Sequence, residues 1–180
     1  MAARLPPEFR VSGSPVPGGR LDNVVSCYAD YLEDAYLLLS IPRFSPSFKK
    51  RVVAPRKHYA VDNGLRRAAS PQPNRDLVRR LENAVFLALR QRGAPVAYAV
   101  EKDAWECDFV TEREAIQVAA ELTPFNRDRE TRGLVEISRL PGRRRPLLLT
   151  MNQRDRVSVD GLKIEVKPAW EWLAEEGRAG

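Results

Sequence analysis

Histidine and cysteine are scarce in this chain, and their scarcity excludes several kinds of site. His58 is the single histidine among 180 residues, and the two cysteines, Cys27 and Cys107, lie far apart in the sequence. Structural zinc sites need clusters of these residues, so we expect neither structural zinc nor histidine-based catalysis. Both cysteines have apolar neighbours, and we interpret them as buried free thiols in a reducing cytoplasm.

Long apolar runs are also missing. No run approaches the ~20 apolar residues that a helix needs to span a bilayer, so no membrane contact is expected. The N-terminus lacks the apolar centre of a secretory signal. What is present, 43% hydrophobic and 30% charged residues, is typical of a packed soluble domain, with room for a small appendage.

Positive charge is concentrated in one part of the chain. Residues 41–80 hold eleven Lys or Arg against two Asp, a net charge of +9, whereas the whole chain carries +6. Such a segment attracts nucleic-acid phosphates, because binding releases their counterions. The alternative is a solvated face that only aids solubility. The predicted DNA contacts are the five basic residues in the middle of the segment: Lys49, Lys50, Arg51, Arg56 and Lys57.

The first third of the chain is predicted to form an arm followed by a small folded unit. Residues 1–21 are rich in Pro and Gly and predict a flexible arm. A helix is expected from Asp22 to about Tyr36, then strands at 37–41 and 58–61 on either side of the basic turn. Residues 22–64 are therefore interpreted either as a partial winged helix or as an ordinary helix and hairpin docked on the next domain.

Residues 65–175 predict an α/β domain with a mixed sheet flanked by helices, and residues 176–180 a tail. A long helix is expected from Asn74 to Arg92, and strands at 96–100, 105–110, 115–119 and 147–150. A helix at 127–140 separates the last two strands, which predicts that they pair in parallel. Asp160-Gly161 predicts a hairpin turn, and Pro168 is expected to begin a final helix.

Three polar residues form the candidate catalytic site: Glu82 on the apolar face of the long helix, Asp108 on one strand and Gln117 on the next. Side chains alternate along a strand, so Glu106 and Asp108 should face away from Trp105, Cys107 and Phe109. Glu82 and Asp108 would bind magnesium, which prefers carboxylate oxygens.

Each of these residues also has a purely structural interpretation. Glu82 would pair with an arginine such as Arg79, Glu106 and Asp108 would form an exposed strand face, and Gln117 would be an ordinary hydrogen-bonding residue. Hydrolysis would further require a positive charge and another carboxylate. Gln117 and Ala119 stand where these groups are expected, so the site is predicted to be vestigial.

Six segments of the chain carry a resemblance to a known family: Tyr28–Leu38, Lys57–Leu65, Leu81–Phe86, Glu106–Val110, Ile116–Val118 and Pro168–Leu173. Together they resemble the C-terminal region of a large family of prokaryotic AAA-type ATP-binding proteins, over about residues 23–175. The resemblance implies the end of a winged helix, then a domain of unknown function similar to the restriction-endonuclease-like PD-(D/E)XK fold. It places Glu82, Asp108 and Gln117 at the nuclease positions. The sequence contains no GxxxxGK(S/T) phosphate loop, so ATP binding is not assigned to it.

These observations favour a binding module that engages DNA or an AAA-type ATPase subunit and hydrolyses neither DNA nor ATP. The first alternative is a magnesium-dependent DNA nuclease in which Glu106 or Lys102 supplies the missing group. The second is a structural interaction domain. An uncovered helix face bearing Tyr28, Tyr31 and Leu32 predicts self-association or a partner.

Overall fold

A computed structural model describes residues 21–45, 47, 51, 54–69 and 77–176. In that part of the chain the elements are, in order, α1 (Leu21–Asp34), β1 (Leu38–Ile41), β2 (Lys57–Ala60), α2 (Asn63–Ala69), α3 (Leu77–Gln91), β3 (Ala97–Glu101), β4 (Trp105–Val110), β5 (Glu114–Val118), α4 (Arg127–Ser138), β6 (Arg145–Thr150), β7 (Asp155–Val159), β8 (Leu162–Pro168) and α5 (Ala169–Glu176). None of the described helices is long and apolar enough to cross a bilayer.

Six of the strands form one mixed sheet in the order β3-β4-β5-β6-β8-β7. The predicted parallel pairing of the strands on either side of α4 is confirmed, since β5 and β6 run parallel, as do β6 and β8. The remaining neighbours are antiparallel. The predicted hairpin turn is also confirmed: Asp160 and Gly161 both have positive φ, 50° and 78°, as a two-residue turn between twisted strands requires.

Helices cover both faces of this sheet. On one face α3 and α5 pack over β4, β5 and β6, and the fully buried Phe86, Phe109 and Trp172 fill the space between them. On the other face α4 packs through Leu134 and Ile137. The predicted mixed sheet flanked by helices is therefore confirmed.

A small unit of α1, β1, β2 and α2 docks on the face that carries α3. The buried side chain of Asn83 on α3 lies at the outer edge of β2, the edge that does not pair with β1. Asn83 accepts from the Ala60 N–H at 2.9 Å and donates to the Ala60 carbonyl at 3.0 Å. It thus satisfies the backbone groups that a third strand would satisfy. Residues 1–20 of the predicted arm, Lys49, Lys50 and the predicted helix start at Asn74 lie outside the described residues, whereas Leu21, assigned to the arm, begins α1.

The predicted alternation of side chains along β4 is wrong at one residue, Phe109. Ala97 pairs with Val110 and Ala99 with Cys107, so two β4 residues, Asp108 and Phe109, lie opposite one residue of β3. An extra residue of this kind is a β-bulge, and it shifts the side chains that follow to the other face. Phe109 therefore packs beside Phe86 under α3, while Cys107 faces α4.

Candidate functional site

Glu82 and Asp108 meet at one site, with a lysine between them. The ammonium nitrogen of Lys57 lies 3.4 Å from Glu82 Oε1 and 3.2 Å from Asp108 Oδ1. It also lies 2.5 Å from Glu106 Oε1. Three carboxylates from α3 and β4 thus surround one cation from β2, a group that we call the Lys57 cluster.

The docking of β2 on α3 explains how Lys57 reaches these acids. Lys57 and Tyr59 are two residues apart on a strand and therefore point to the same side. The Tyr59 ring stacks on Phe86 with 4.3 Å between ring centroids, and its hydroxyl donates to Glu82 Oε1 at 2.7 Å. Glu82 immediately precedes Asn83, which holds the backbone of β2. Two adjacent residues of α3 therefore fix both the strand and its charged side chain.

Gln117 lies beside Asp108, at the point where β4 and β5 stop pairing. The ladder between these strands includes Phe109–Ile116 and Val110–Ala115. Beyond it, Gln117 Oε1 accepts from the Asp108 N–H at 3.3 Å, and Asp108 Oδ2 accepts from the Val118 N–H at 3.0 Å. The two side chains replace backbone hydrogen bonds that the diverging strands no longer make. All three residues predicted for the candidate catalytic site are therefore brought together.

A fourth acid of this site, Glu130, was not predicted. It lies in the first turn of α4, only 5% exposed, and its Oε2 accepts from Gln117 Nε2 at 3.1 Å. Arg129 Nε donates to its other oxygen at 3.0 Å. Glu130 shares a helical face with the buried Leu134 and Ile137. An acid at helical spacing from apolar residues, the signal that marked Glu82, would have identified it.

The acids line an open cleft of about 580 Å³ between α3 and α4. Its walls include Glu82, Asp108, Gln117, Ala119 and Glu130. Carboxylates in this number suit a hard divalent cation. However, the Lys57 ammonium already lies within 3.4 Å of three of them. Among the described residues no group of three or more potential ligands could hold a metal ion, so the arrangement does not fit a bound metal.

Burial and neighbouring charges shift the pKa values of the groups at this site. Burial, with the charge of Glu82, raises the pKa of Asp108 to about 7, although Lys57 and the Val118 N–H oppose the shift. Burial alone lowers the pKa of Lys57, but the charges of Asp108, Glu82 and Glu106 outweigh it and raise that pKa above its ordinary value. Burial, again with Glu82, raises the pKa of Tyr59. Lys57 therefore stays charged at neutral pH, whereas Asp108 titrates near it.

Two expectations about charge at this site are wrong. The pocket was expected to lack a positive group and a further carboxylate, and Lys57 and Glu106 supply both. Glu82 pairs with Lys57 rather than with Arg79. Because Lys57 is bound by these acids, it does not extend into solvent beside Arg56, the neighbour with which it was grouped as a phosphate contact. Arg51 and Arg56 are exposed, and Arg56 lies 3.7 Å from Glu33.

Comparison with known proteins adds relatives but no function. Residues 21–76 match the family model of a domain of unknown function (DUF8612). An uncharacterized protein from Haemophilus influenzae is 32% identical over 158 residues, covering 86% of this chain and 38% of the relative. The uncharacterized protein MJ1544 from Methanocaldococcus jannaschii is 32% identical over 157 residues, covering 81% and 35%. The chain thus spans less than two fifths of these relatives. No solved structure matches it significantly.

Proposed function

We propose that this chain is a binding module with a restriction-endonuclease-like fold whose acidic site does not cleave nucleic acid. The observation that carries the proposal is the position of Lys57. Metal-dependent hydrolysis needs a divalent cation among the carboxylates, to activate water and to neutralise the phosphate. In this structure an ammonium group lies among Glu82, Glu106 and Asp108 instead. The Lys57 cluster then holds the small unit of α1, β1, β2 and α2 against the domain that follows.

The hydrogen bonds of Gln117 support the same proposal. Its amide oxygen accepts from the Asp108 backbone and its amide nitrogen donates to Glu130. Both ends of the side chain are thus used within the protein, which favours a structural role at the diverging strands. Gln117 holds the two strands and α4 together, and a metal ligand is not required to explain its position.

A protein partner is the ligand that the described surface favours most. Four large apolar side chains on or just after α1 are exposed: Tyr28 at 64%, Tyr31 at 45%, Leu32 at 40% and Tyr36 at 80%. Exposed apolar patches mark interaction surfaces. We propose that α1 is the end of a winged helix and that an AAA-type ATPase subunit is its partner, as the resemblance implies. DNA is the second candidate ligand, favoured by the exposed Arg51 and Arg56.

We expect the purified chain to self-associate through the α1 face at high concentration. Static light scattering should give a mass above that of the monomer, and the variant Tyr28→Ser/Tyr31→Ser should shift the mass toward the monomer. The two rings contact each other edge to face, so they form one patch. Trp170→Ser is the matched control, since this ring is also exposed but lies on α5. A monomeric mass for the unmodified chain at every concentration would contradict the expectation.

A magnesium-dependent nuclease is the second candidate function, favoured by the convergence of three carboxylates with a lysine. A cleavage assay, in which plasmid DNA is incubated with the protein and Mg²⁺ or Mn²⁺, distinguishes the nuclease from the non-cleaving binding module. We expect no cleavage that depends on Asp108. Equal cleavage by the unmodified protein and by Asp108→Ala would indicate a contaminating enzyme. Cleavage that disappears in Asp108→Ala would establish the nuclease and refute the proposed inactivity.

A further inference from the structure

Arginines gather at the end of the sheet opposite the acidic cleft. The cleft lies at the carboxyl end of β5, whereas these arginines lie where β5 and β6 begin. Two neighbouring hollows of about 600 Å³ and 250 Å³ share Pro95, Thr111 and Glu112 as lining residues. We name this region the arginine end, and its basic residues are Arg43, Arg51, Arg92, Arg113, Arg144 and Arg145, with Arg143 in the adjoining loop.

The backbone that carries these side chains is held in place. Thr111 closes the β4–β5 turn, with its N–H donating to the Glu114 carbonyl at 2.9 Å. The Arg145 N–H donates to the Arg113 carbonyl at 2.8 Å. Arg144 Nε donates to the Thr111 carbonyl at 3.0 Å, and its guanidinium lies 5.0 Å from the centre of the Phe44 ring. A ligand therefore meets positions that are already ordered, which lowers the entropic cost of binding.

Positive charge exceeds negative charge at the arginine end. Glu112 and Glu114 are the acidic residues that line the two hollows. Glu114 is shared between Arg145 at 2.7 Å and Arg92 at 3.5 Å. Within the described residues no ion pair involves Arg113 or Arg143, and both are exposed. The surface thus presents guanidinium groups that its own carboxylates do not neutralise.

We propose that the arginine end binds the phosphodiester backbone of a nucleic acid. Guanidinium groups match phosphate oxygens in geometry and charge, and arginine is the residue preferred for this contact. Two adjoining hollows suit a linear polyanion better than one small anion. Contacts of this kind position a nucleic acid without reading its sequence. The inference does not rest on the proposed lack of cleavage. The site includes Arg43 and Arg51 of the basic segment predicted from the sequence, whereas its other arginines lie outside that segment.

Filter binding of short duplex DNA over a series of salt concentrations tests the proposal. The variant Arg113→Ala/Arg143→Ala should bind about tenfold more weakly or worse, and the slope of log K against log salt should shrink by about 0.9 per lost phosphate contact. The matched control is Arg132→Ala/Arg156→Ala, which removes the same charge from exposed positions on α4 and β7. The control should leave both quantities nearly unchanged. Circular dichroism checks that each variant is folded.

Three results would overturn the proposal. Equal losses in both variants would mean that binding follows net charge alone. Failure of duplex DNA, single-stranded DNA and RNA to bind at low salt would exclude a nucleic-acid ligand. If inorganic phosphate binds in a manner that depends on Arg113, and no nucleic acid binds, the hollows are a site for a small anion.

Discussion

Lys57→Met is expected to destabilise the protein by about 3 kcal/mol near pH 8, because removing one partner of a buried ion pair leaves uncompensated charge. This value is at the low end of the destabilisation that follows when a buried ion pair is broken, since the Lys57 side chain is still 26% exposed. Urea unfolding at two pH values measures it. Lys163→Met is the matched control, because this lysine is exposed on β8.

The stability lost in Lys57→Met should be smaller at about pH 5 than at pH 8. This direction follows from the titration of Asp108. Its pKa is raised in the folded protein to about 7, so the folded state binds more protons than the unfolded state below that pH. Stability therefore falls as pH rises toward 7, because the carboxylate must ionise while buried. Lys57 limits that fall. Without Lys57 the pKa of Asp108 rises further, and the penalty becomes largest at high pH and small where Asp108 is protonated.

A second substitution separates charge from packing in this experiment. Lys57→Met/Asp108→Asn should recover part of the lost stability near pH 8, since the neutral amide needs no counter-charge. A loss that is the same at both pH values, or greater in acid, would show that Lys57 contributes packing rather than charge.

Gly133→Ala is expected to destabilise the protein by about 3 kcal/mol, at the upper end of overpacking effects. Gly133 lies where α4 crosses β4, and a Cβ there would overlap the Glu106 carbonyl group and lie 3.0 Å from the Cys107 nitrogen. Backbone atoms on both sides cannot turn away, so α4 would have to move. In an unhindered helix the same change stabilises by up to about 1 kcal/mol, so the sign itself is informative.

Gly64→Ala is the matched control for this prediction. Gly64 lies in the first turn of α2, where an added Cβ would meet Asp62 Oδ1, the end of a side chain that accepts from the Leu65 N–H at 2.8 Å. Displacing that oxygen costs one hydrogen bond at the start of the helix and moves no backbone, so urea unfolding should give a loss of about 1 kcal/mol or less for this variant. A Gly133→Ala variant as stable as the unmodified protein would mean that α4 does not lie this close to β4.

Much of the fold was predictable from local pattern. The predicted strands lie within about two residues of β1–β6, and the Asp160-Gly161 turn appears between β7 and β8, where it was expected. These features depend on alternation, helical spacing and turn chemistry, which act between residues close in the chain. The meeting of Glu82 and Asp108 was predicted for a similar reason, since each acid interrupts an otherwise apolar pattern.

The bulge in β4 shows where local pattern stops being sufficient. Strict alternation placed Phe109 with Cys107, but Phe109 packs under α3. Nothing in the residues 105–110 signals an extra residue, since its cost depends on what β3 and α3 offer nearby. The same limit applies to the contact between Glu130 and Gln117, because the two residues lie on different elements, although helical spacing alone marks Glu130 as an acid on an apolar face.

The sequence by itself determined the order of the elements, their apolar faces and the presence of acids where hydrophobic residues would be expected. Tertiary structure alone decided which cation those acids hold and where the arginines gather. Lys57 is 25 residues from Glu82 and 51 from Asp108, and Arg144 is 33 residues from Thr111. Such contacts form only when separate elements dock. Their partners are selected by the packing of α3, α4 and the sheet, and that packing leaves no mark in local residue spacing.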